Sequence, residues 1–592
     1  MTGAPRPPRG AVWRAVAVFA AAAVATTWPL APRLSTHLPA GANDLFQNVW
    51  TLWWWKKALL DLGTTPFWTP YLYAPDGLDL TFHTHSPLTM LMTLPVNALL
   101  GPVAAYNAAV LLAVILCGLG AYLLARELVR NEAAAVAAGL VFALFPQHQE
   151  QLMEHLNLLS CQWMPFALLF LVRGLKYGRR ADGVLAGVFY ALNALASYHL
   201  GLLLTFMGLP IALWYLRESP CRRRALAGLG AGAAAGAALL APFVWPMAKA
   251  MLGGEAFFVK PLEYRPVDPA FFAIPPPTST FLGGLFEDVY RARRGNEFQY
   301  AGFVCFLGWV PLLAVVRVAA GLGSRAGRGE KLLWLGVFLG FCLFACGKCL
   351  TFFGTTYPGV SLPQGWTQEL GPFRVLRIAN RYLIPASLAL AVLTAQGLAR
   401  LPLGAPGRWA LAGLIALEFL WAPFPTAELG LHPYMRELAR DPDAGAVLAL
   451  PPCLDAARVD HMLDQMEHER PIVGGYSACT PPALKEDVRK LLRGLGVAPE
   501  DLAIPPVIDR ALVDALKRRG VGTIILRPGE TREAFRAARE EALARGELPF
   551  FLRLLRPARA LPERRLEVMA AQLTRLLGPP IHEDEELAVW RL

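Results

Sequence analysis

Eleven apolar runs, most of them separated by short connectors, recur through the first 424 residues, and few architectures accommodate that pattern. The first, AVWRAVAVFAAAAVATTWPLAP (11–32), is long enough for a helix to cross a hydrocarbon core of about 30 Å. The others lie at 103–125, 133–146, 157–172, 183–197, 199–216, 225–247, 301–319, 332–346, 380–398 and 408–424. Inside a bilayer the backbone has no water to bond, so such runs are read as helices. Arg6, Arg9 and Arg14 make a cleaved signal peptide the competing reading of the first run. It is long for a signal core and more spans follow, so it is read as an uncleaved first helix. Composition agrees: the chain is 55% hydrophobic and 17% charged, where soluble proteins carry about 25% charged residues. A disordered chain is excluded by the same apolar content.

The net charge of +11 divides unevenly. Residues 425–592 hold 24 Lys and Arg against 26 Asp and Glu, which leaves 32 against 19 for residues 1–424. The basicity therefore belongs to the membrane part, and a nucleic-acid partner is excluded as its explanation. Lys and Arg in short loops mark the cytoplasmic side. A cytoplasmic N-terminus places RELVRN (126–131), RGLKYGRR (173–180), RESPCRRR (217–224), 317–331 and 400–408 inside, and with the N-terminal arginines these hold 19 of the 32 cations. The connector PQHQEQLMEH (146–155), which holds none, falls outside. SPLTMLMTLPVNALLG (86–101) must then stop short of a full span, or every later loop would invert. It is read as a helix lying at, or dipping into, the outer interface.

Three outer segments are long enough to build a site: 33–102, 248–300 and 347–379. The first contains LFQNVWTLWWWKKALLDLG, where Trp50, Trp53 and Trp54 share a helix face. Aromatic rings prefer the headgroup level, so the expectation is that they anchor the helix at the membrane surface. After residue 424 the composition becomes that of a soluble α/β domain. GAVLALP (445–451) and VGTIILRP (521–528) read as strands, ARVDHMLDQMEHE, ALVDALKRRG and ETREAFRAAREEALARG as helices, and the closing ELAVWRL as an edge strand. Nothing in it matches a nucleotide-binding loop. The division is a membrane domain, 1–424, and an α/β domain, 425–592.

Most of the nine cysteines sit in apolar runs, where Cys packs as a small hydrophobe. Cys346 and Cys349 form a lone CxxC, read as packing or an incidental disulfide. Cys453 and Cys479 are able to pair if the α/β domain is exported.

Ionisable residues beside membrane spans are costly to keep and invite a functional question. Asp44 opens the aromatic helix just after the first span; it either caps that helix or does chemistry. Asp76 and Asp79, with His83 and His85 two apart, follow in YAPDGLDLTFHTHSP, and Asp76-Gly77 is a turn signal. Two histidines fall short of a zinc site, and no metal or cofactor is expected. His148, Glu150, Glu154 and His155 come from 146–155, and His199 from the break in ASYHLG. Arg374, Arg377 and Arg381 stand on the outer side, against the charge rule. Arg377 and Arg381, four apart, would share a helix face. Guanidinium forks suit a lipid phosphate, and snorkelling at the interface is the alternative.

The order of these features resembles the bacterial polytopic C-type glycosyltransferases. GANDLFQNVWTLWW follows the first span, then PFWTPYLYAPDGLDL, HSPLTMLMTLP, AYNAAVLLAVILCGLGAYLLARELV, EHLNLLSCQWMPFALLFLVRGL, YAGFVCFLG and FRVLRIANRYLIP, with an α/β tail ending in ELAVWRL. The resemblance implies a mainly α polytopic membrane protein of about eleven transmembrane helices in the bacterial inner membrane, with a periplasmic C-terminal α/β domain. It implies inverting transfer of a hexosyl or pentosyl group from a polyprenyl-phosphate sugar to a lipid, glycan or protein acceptor. Asp44 then stands at the general base's position, Arg374, Arg377 and Arg381 at the leaving phosphate, and His83, His85, Glu154 and His155 along the cavity. Many relatives have two acidic residues in the first outer loop, whereas Asn43 precedes Asp44 here, so a metal-dependent version is not implied. The rival is a non-catalytic transporter or assembly factor for envelope polymers.

Overall fold

The computed structural model describes residues 8–41, 44–253, 266–292, 304–325, 327–367, 370, 374–450, 452, 460–477, 480–493, 506–527, 563–584 and 586–592. Each of the eleven apolar runs contains helix, although in 301–319 the helix begins only at Trp309 and 157–172 is divided between Leu156–Leu159 and Trp163–Tyr177. Six described helices are long and apolar enough to cross a membrane: Arg9–Thr26, Pro87–Val129, Leu156–Tyr177, Tyr198–Glu218, Arg222–Leu252 and Ala379–Ala399. Glu132–Ala143 and Trp309–Gly323 are shorter apolar helices. Ala379–Ala399 is 94% buried and forms the axis of the bundle, while Arg222–Leu252 is 17% buried and lies at its periphery.

The stretch 86–101 is distinct from the span that follows it. Gly101 adopts φ 85° and ψ 173°, which breaks Pro87–Val129 into two helices. Glycine tolerates that backbone and Pro102, next in line, has no N–H to donate.

One helix pair packs through glycines that the spacing already shows. Gly183 and Gly187 of Arg180–Ala196 face Gly228, Gly232 and Gly236 of Arg222–Leu252, so closely that a Cβ on Gly187 would lie 1.9 Å from the Gly232 carbonyl oxygen. Small residues four apart let two membrane helices touch by their backbones, which replaces hydrophobic attraction as the source of cohesion. Glu418, the isolated acid of the last span, has a structural task. Its carboxylate accepts the Val310 N–H at 3.2 Å, at the first turn of Trp309–Ala320.

The boundary at 424 is bridged by a small sheet. Strand His37–Pro39, just after the first helix, pairs antiparallel with Thr426–Glu428, just after the last. Beyond it a four-stranded mixed sheet has the order Ala446–Leu450, Val521–Leu526, Ala588–Arg591, His582–Glu583, with the first pair parallel and the others antiparallel. Both expected strands are present, and Asp460–His468 and Arg510–Arg518 are helices as read. ELAVWRL is not an edge: the chain turns back at Asp584, and the two-residue strand His582–Glu583 covers it. The apolar Val589 and Trp590, 0% and 1% exposed, account for that covering. The helix expected over 530–546 and both Cys453 and Cys479 lie outside the described residues. Cys342, Cys346 and Cys349 are unbridged, and the first two are core residues.

Candidate active site

The helix Asp44–Lys56 organises the site, and its surroundings correct the expectation of a surface anchor. Trp50, Trp53, Trp54 and Trp55 are all buried. The Trp50 indole donates to Gln465 Oε1 at 2.8 Å, Trp54 to the Pro66 carbonyl at 2.9 Å, and Trp55 to His85 Nδ1 at 3.0 Å. Gln465 belongs to Asp460–His468 of the α/β domain, so the aromatic face is roofed by protein and not by headgroups. Buried indoles need a partner for their N–H, and each of these three has one. The roof is continuous with the first outer segment. Tyr73 and Ala74 donate to the carbonyls of Gly474 and Ile472, and the Ile472 N–H returns to Tyr71. Lys57 pairs with Glu469 at 2.7 Å.

A second face of the same helix is zipped to 83–85. Gln47 donates to Thr84 Oγ1 at 3.2 Å, and Thr51 Oγ1 lies 3.1 Å from His83 Nε2. His83 Nδ1 meets Ser477 Oγ at 3.1 Å, and His85 Nε2 donates to the Leu80 carbonyl at 2.7 Å. All four ring nitrogens are thus engaged by protein groups, and both rings are buried. Burial pushes His85 down to about 4 and His83 well below the usual imidazole range. Neutral and held at both nitrogens, the pair fastens 83–85 to the helix. Asp76 and Asp79 serve turns, Asp79 by accepting the Thr81 N–H at 2.6 Å.

Asp44 itself sits in the first turn of the helix, where the backbone dipole favours a carboxylate. Its Oδ2 lies 3.5 Å from His155 Nε2, with side chains 38% and 30% exposed, so the pair is open to a ligand. Gly41 packs against the 153–155 turn: a Cβ there would lie 2.1 Å from the Met153 carbonyl oxygen. Asn48 then fastens the two segments, donating to the Asp44 carbonyl at 2.8 Å and the Glu154 carbonyl at 2.9 Å. Tyr106 lies beneath, close enough to feel the charges of Glu154 and Asp44, with its hydroxyl on the Leu152 carbonyl. Asp44, Glu154 and His155 are therefore brought together as the spacing alone could not show.

The connector 146–155 is buried, unlike an exposed loop. Pro146–Leu152 is a helix whose seven residues are all buried. Gln149 earns its place by donating to the Leu144 and Phe419 carbonyls and accepting from Thr26. Gln147, 0% exposed, has no hydrogen-bond partner for either amide atom among the described residues. The signal for this role was present: five Gln and Glu residues without a Lys or Arg, in a connector too short to leave the bundle.

Arg374 is exposed, and Arg377 and Arg381 are half-buried. The expected helical pairing is replaced by an extended entry and a 3-10 turn, Ala379–Tyr382, that opens Leu383–Ala399. Arg377 and Arg381 nevertheless both stand near enough to His199 for their charges to act on its ring, which bonds to the Val375 carbonyl. The connector that carries His155 to Asp44 also packs on the helix these arginines lead into, where His148 Nε2 lies 3.3 Å from Ser387 Oγ.

The family model for the domain of unknown function DUF6311 matches residues 14–420, which takes in every predicted membrane run apart from the start of the first and the end of the last. This chain belongs to that family. No curated protein matches it. Among solved structures, the arabinofuranosyltransferase AftD from Mycobacteria is similar over 88% of this chain, at 16% identity and a TM-score of 0.53. The DUF6311 chain covers 35% of the AftD chain, about a third of its length. The Archaeoglobus fulgidus oligosaccharyltransferase aligns with 92% of this chain and 72% of its own, at 13% identity and a TM-score of 0.46. ArnT from Cupriavidus metallidurans aligns over 99% and 98%, at 13% identity and 0.41. The membrane part of the DUF6311 chain has the C-type glycosyltransferase fold.

Proposed function

We propose that this protein transfers a sugar from a polyprenyl-phosphate donor to an envelope lipid, glycan or protein hydroxyl, with inversion at the anomeric carbon. The observation that carries the reading is the open Asp44–His155 pair, set on the same buried polar connector whose His148 reaches the helix that Arg377 and Arg381 lead into. The acceptor oxygen attacks the anomeric carbon and loses its proton to Asp44. As that C–O bond forms, the bond from the anomeric carbon to the donor phosphate breaks, and the polyprenyl phosphate leaves with the electron pair. Arg377 and Arg381, with Arg374 at the rim, meet the charge that grows on the leaving phosphate. Glu154 and His155 hold the carboxylate's surroundings. No step calls on a metal or cofactor.

The basic connectors support a cytoplasmic N-terminus, eleven spans and a periplasmic site and α/β domain. Polar breaks at helix midpoints favour transport, and the acid that most resembled one, Glu418, is taken up at a helix start. That weighs against the transporter.

The test is Asp44→Asn in membranes supplied with labelled polyprenyl-phosphate sugars. General-base help is worth about 10² to 10⁴ in rate, and a loss of that size is expected. Unchanged transfer would overturn Asp44 as the base. Absence of transfer by the unmodified protein with every donor would overturn the activity and favour the non-catalytic reading.

A further inference from the structure

Far from that site, three potential metal ligands converge in the α/β domain. Those of His432, His582 and Asp584 lie within 4.8 Å of one another. His432 follows the strand Thr426–Glu428 that leaves the membrane part; His582 opens the edge strand of the sheet, and Asp584 makes the turn after it. Distant stretches of chain thus contribute to one point.

The carboxylate is aimed. Asp584 Oδ1 accepts the N–H groups of Glu586 and Leu587 at 2.9 and 3.0 Å, which leaves Oδ2 facing the two rings. His582 Nε2 lies 2.8 Å from Oδ2 and His432 Nε2 3.0 Å from it. In a tetrahedral zinc site with bonds of about 2.0–2.1 Å, neighbouring ligand atoms stand about 3.3 Å apart. Each histidine therefore needs to move from the carboxylate by only a few tenths of an ångström, and the ligand atoms of the two rings already lie within 4.8 Å of each other. His582 is held for the task by Tyr434, whose ring stacks on it at 4.3 Å and 25°. Side-chain exposures of 10%, 29% and 36% leave room for water as the fourth ligand.

We infer that His432, His582 and Asp584 bind a divalent transition metal of the zinc class, which ties the segment leaving the membrane part to the edge of the sheet. Two imidazoles and one carboxylate suit Zn²⁺, Co²⁺ or Ni²⁺, whereas Mg²⁺ and Ca²⁺ take oxygen ligands. Binding has opposing terms on both rings: each gives up its Nε2 contact with Asp584 Oδ2 in exchange for ligation, and His432 gives up one more. His432 Nδ1 accepts the Tyr434 N–H at 3.2 Å, so the neutral ring carries its proton on Nε2, facing Asp584. Ligation by Nε2 moves that proton to Nδ1 and gives up this one long hydrogen bond, a smaller effect than a metal–nitrogen bond.

The experiment uses the full chain in detergent, free of any histidine tag and stripped with a chelator. Titration with Co²⁺ reads the site directly, because tetrahedral N/O ligation gives intense visible bands, and Zn²⁺ should displace them at one equivalent. Zn²⁺ should raise Tm, with Mg²⁺ and Ca²⁺ silent. His432→Gln, His582→Gln and Asp584→Asn should each weaken binding more than about tenfold. Absence of the bands in the unmodified protein, or zinc binding unchanged in the His432→Gln/His582→Gln double variant, would overturn the site and leave a hydrogen-bonded clamp. No outcome depends on sugar transfer.

Discussion

His155 Nε2 and Asp44 Oδ2 lie 3.5 Å apart at the meeting of the first outer segment and the buried connector. A carboxylate that takes a proton must be aimed, and at this distance the imidazole steers it without replacing it. In the proposed mechanism His155 is a positioning residue. His155→Ala is expected to lower kcat by about tenfold with KM little changed, a loss below the 10² to 10⁴ ascribed to the base itself. His155→Gln, which keeps a donor, should recover most of the rate. A fall in KM-limited turnover alone, with kcat intact, would assign His155 to substrate binding.

Trp50 measures how firmly the α/β domain roofs the site. It is 1% exposed, and its donor meets Gln465 Oε1, whose amide in turn donates to the Tyr71 and Arg470 carbonyls. Trp50→Phe keeps the ring but leaves Gln465 Oε1 unpaired, at about 1–2 kcal/mol. Trp50→Ala also leaves a cavity, at about 3–5 kcal/mol. Thermal unfolding in detergent, followed by circular dichroism, should order the three proteins accordingly. Equal Tm values would mean that the helix is not covered.

The spans were legible because a bilayer demands one property, apolarity over a fixed length, and each run contains helix. The break before residue 102 was legible for a related reason, since only a partial span kept the basic loops on one side. Trp50, Trp53 and Trp54 were misread because a ring facing a headgroup and a ring beneath a folded domain require the same amphipathic pattern. What covers them, Gln465 and the strand-like 471–475, lies some 400 residues away and leaves no trace in local spacing. Of the candidate site residues, Asp44 and the arginines stood out by their unexpected location, and Glu154 and His155 by their place in a polar outer connector. What local spacing could not show is that His155 meets Asp44, because Gly41 and Asn48, which bring the two together, act through a close approach between distant segments.

Gly232 tests the glycine seam against a control on the same helix. A Cβ on Gly232 would lie 2.1 Å from the Gly183 carbonyl oxygen, whereas one on Gly230 meets nothing within 4 Å. Gly232→Val should force the helices apart and destabilise by about 1–3 kcal/mol. Gly230→Ala should be neutral or stabilise by up to about 1 kcal/mol. Similar Tm values for the two variants would show that the helices do not meet there.

Stability should fall on the acid side. His85 and His468 are 3% and 2% exposed, and burial pushes each down to about 4 from 6.5. Both rings are neutral in the fold, so below pH 6.5 the unfolded chain binds protons that the folded chain refuses. Each histidine then removes about 1.4 kcal/mol per pH unit between 6.5 and 4, and contributes no slope above 6.5. Tm measured from pH 8 to 4.5 should be flat and then decline. His85→Gln/His468→Gln should decline less steeply whatever its starting value, and an unchanged slope would show that other groups control acid unfolding.

Arg377 and Arg381 are the last case, because two explanations of outer-leaflet arginines separate cleanly here. Both act on His199, and they stand where the chain turns into the most buried helix of the bundle. Snorkelling arginines need only a long stem and a charge, so Lys should serve as well. Arginines that grip a phosphate use a planar fork that Lys lacks. A charged hydrogen bond is worth about 1.5–3 kcal/mol, so Arg381→Ala should weaken use of the lipid-linked donor by about 10- to 150-fold in kcat/KM. Arg377→Lys and Arg381→Lys should each recover only part of that. Full activity in both Lys variants, with folding intact, would assign the pair to the membrane surface and leave the donor phosphate to other groups.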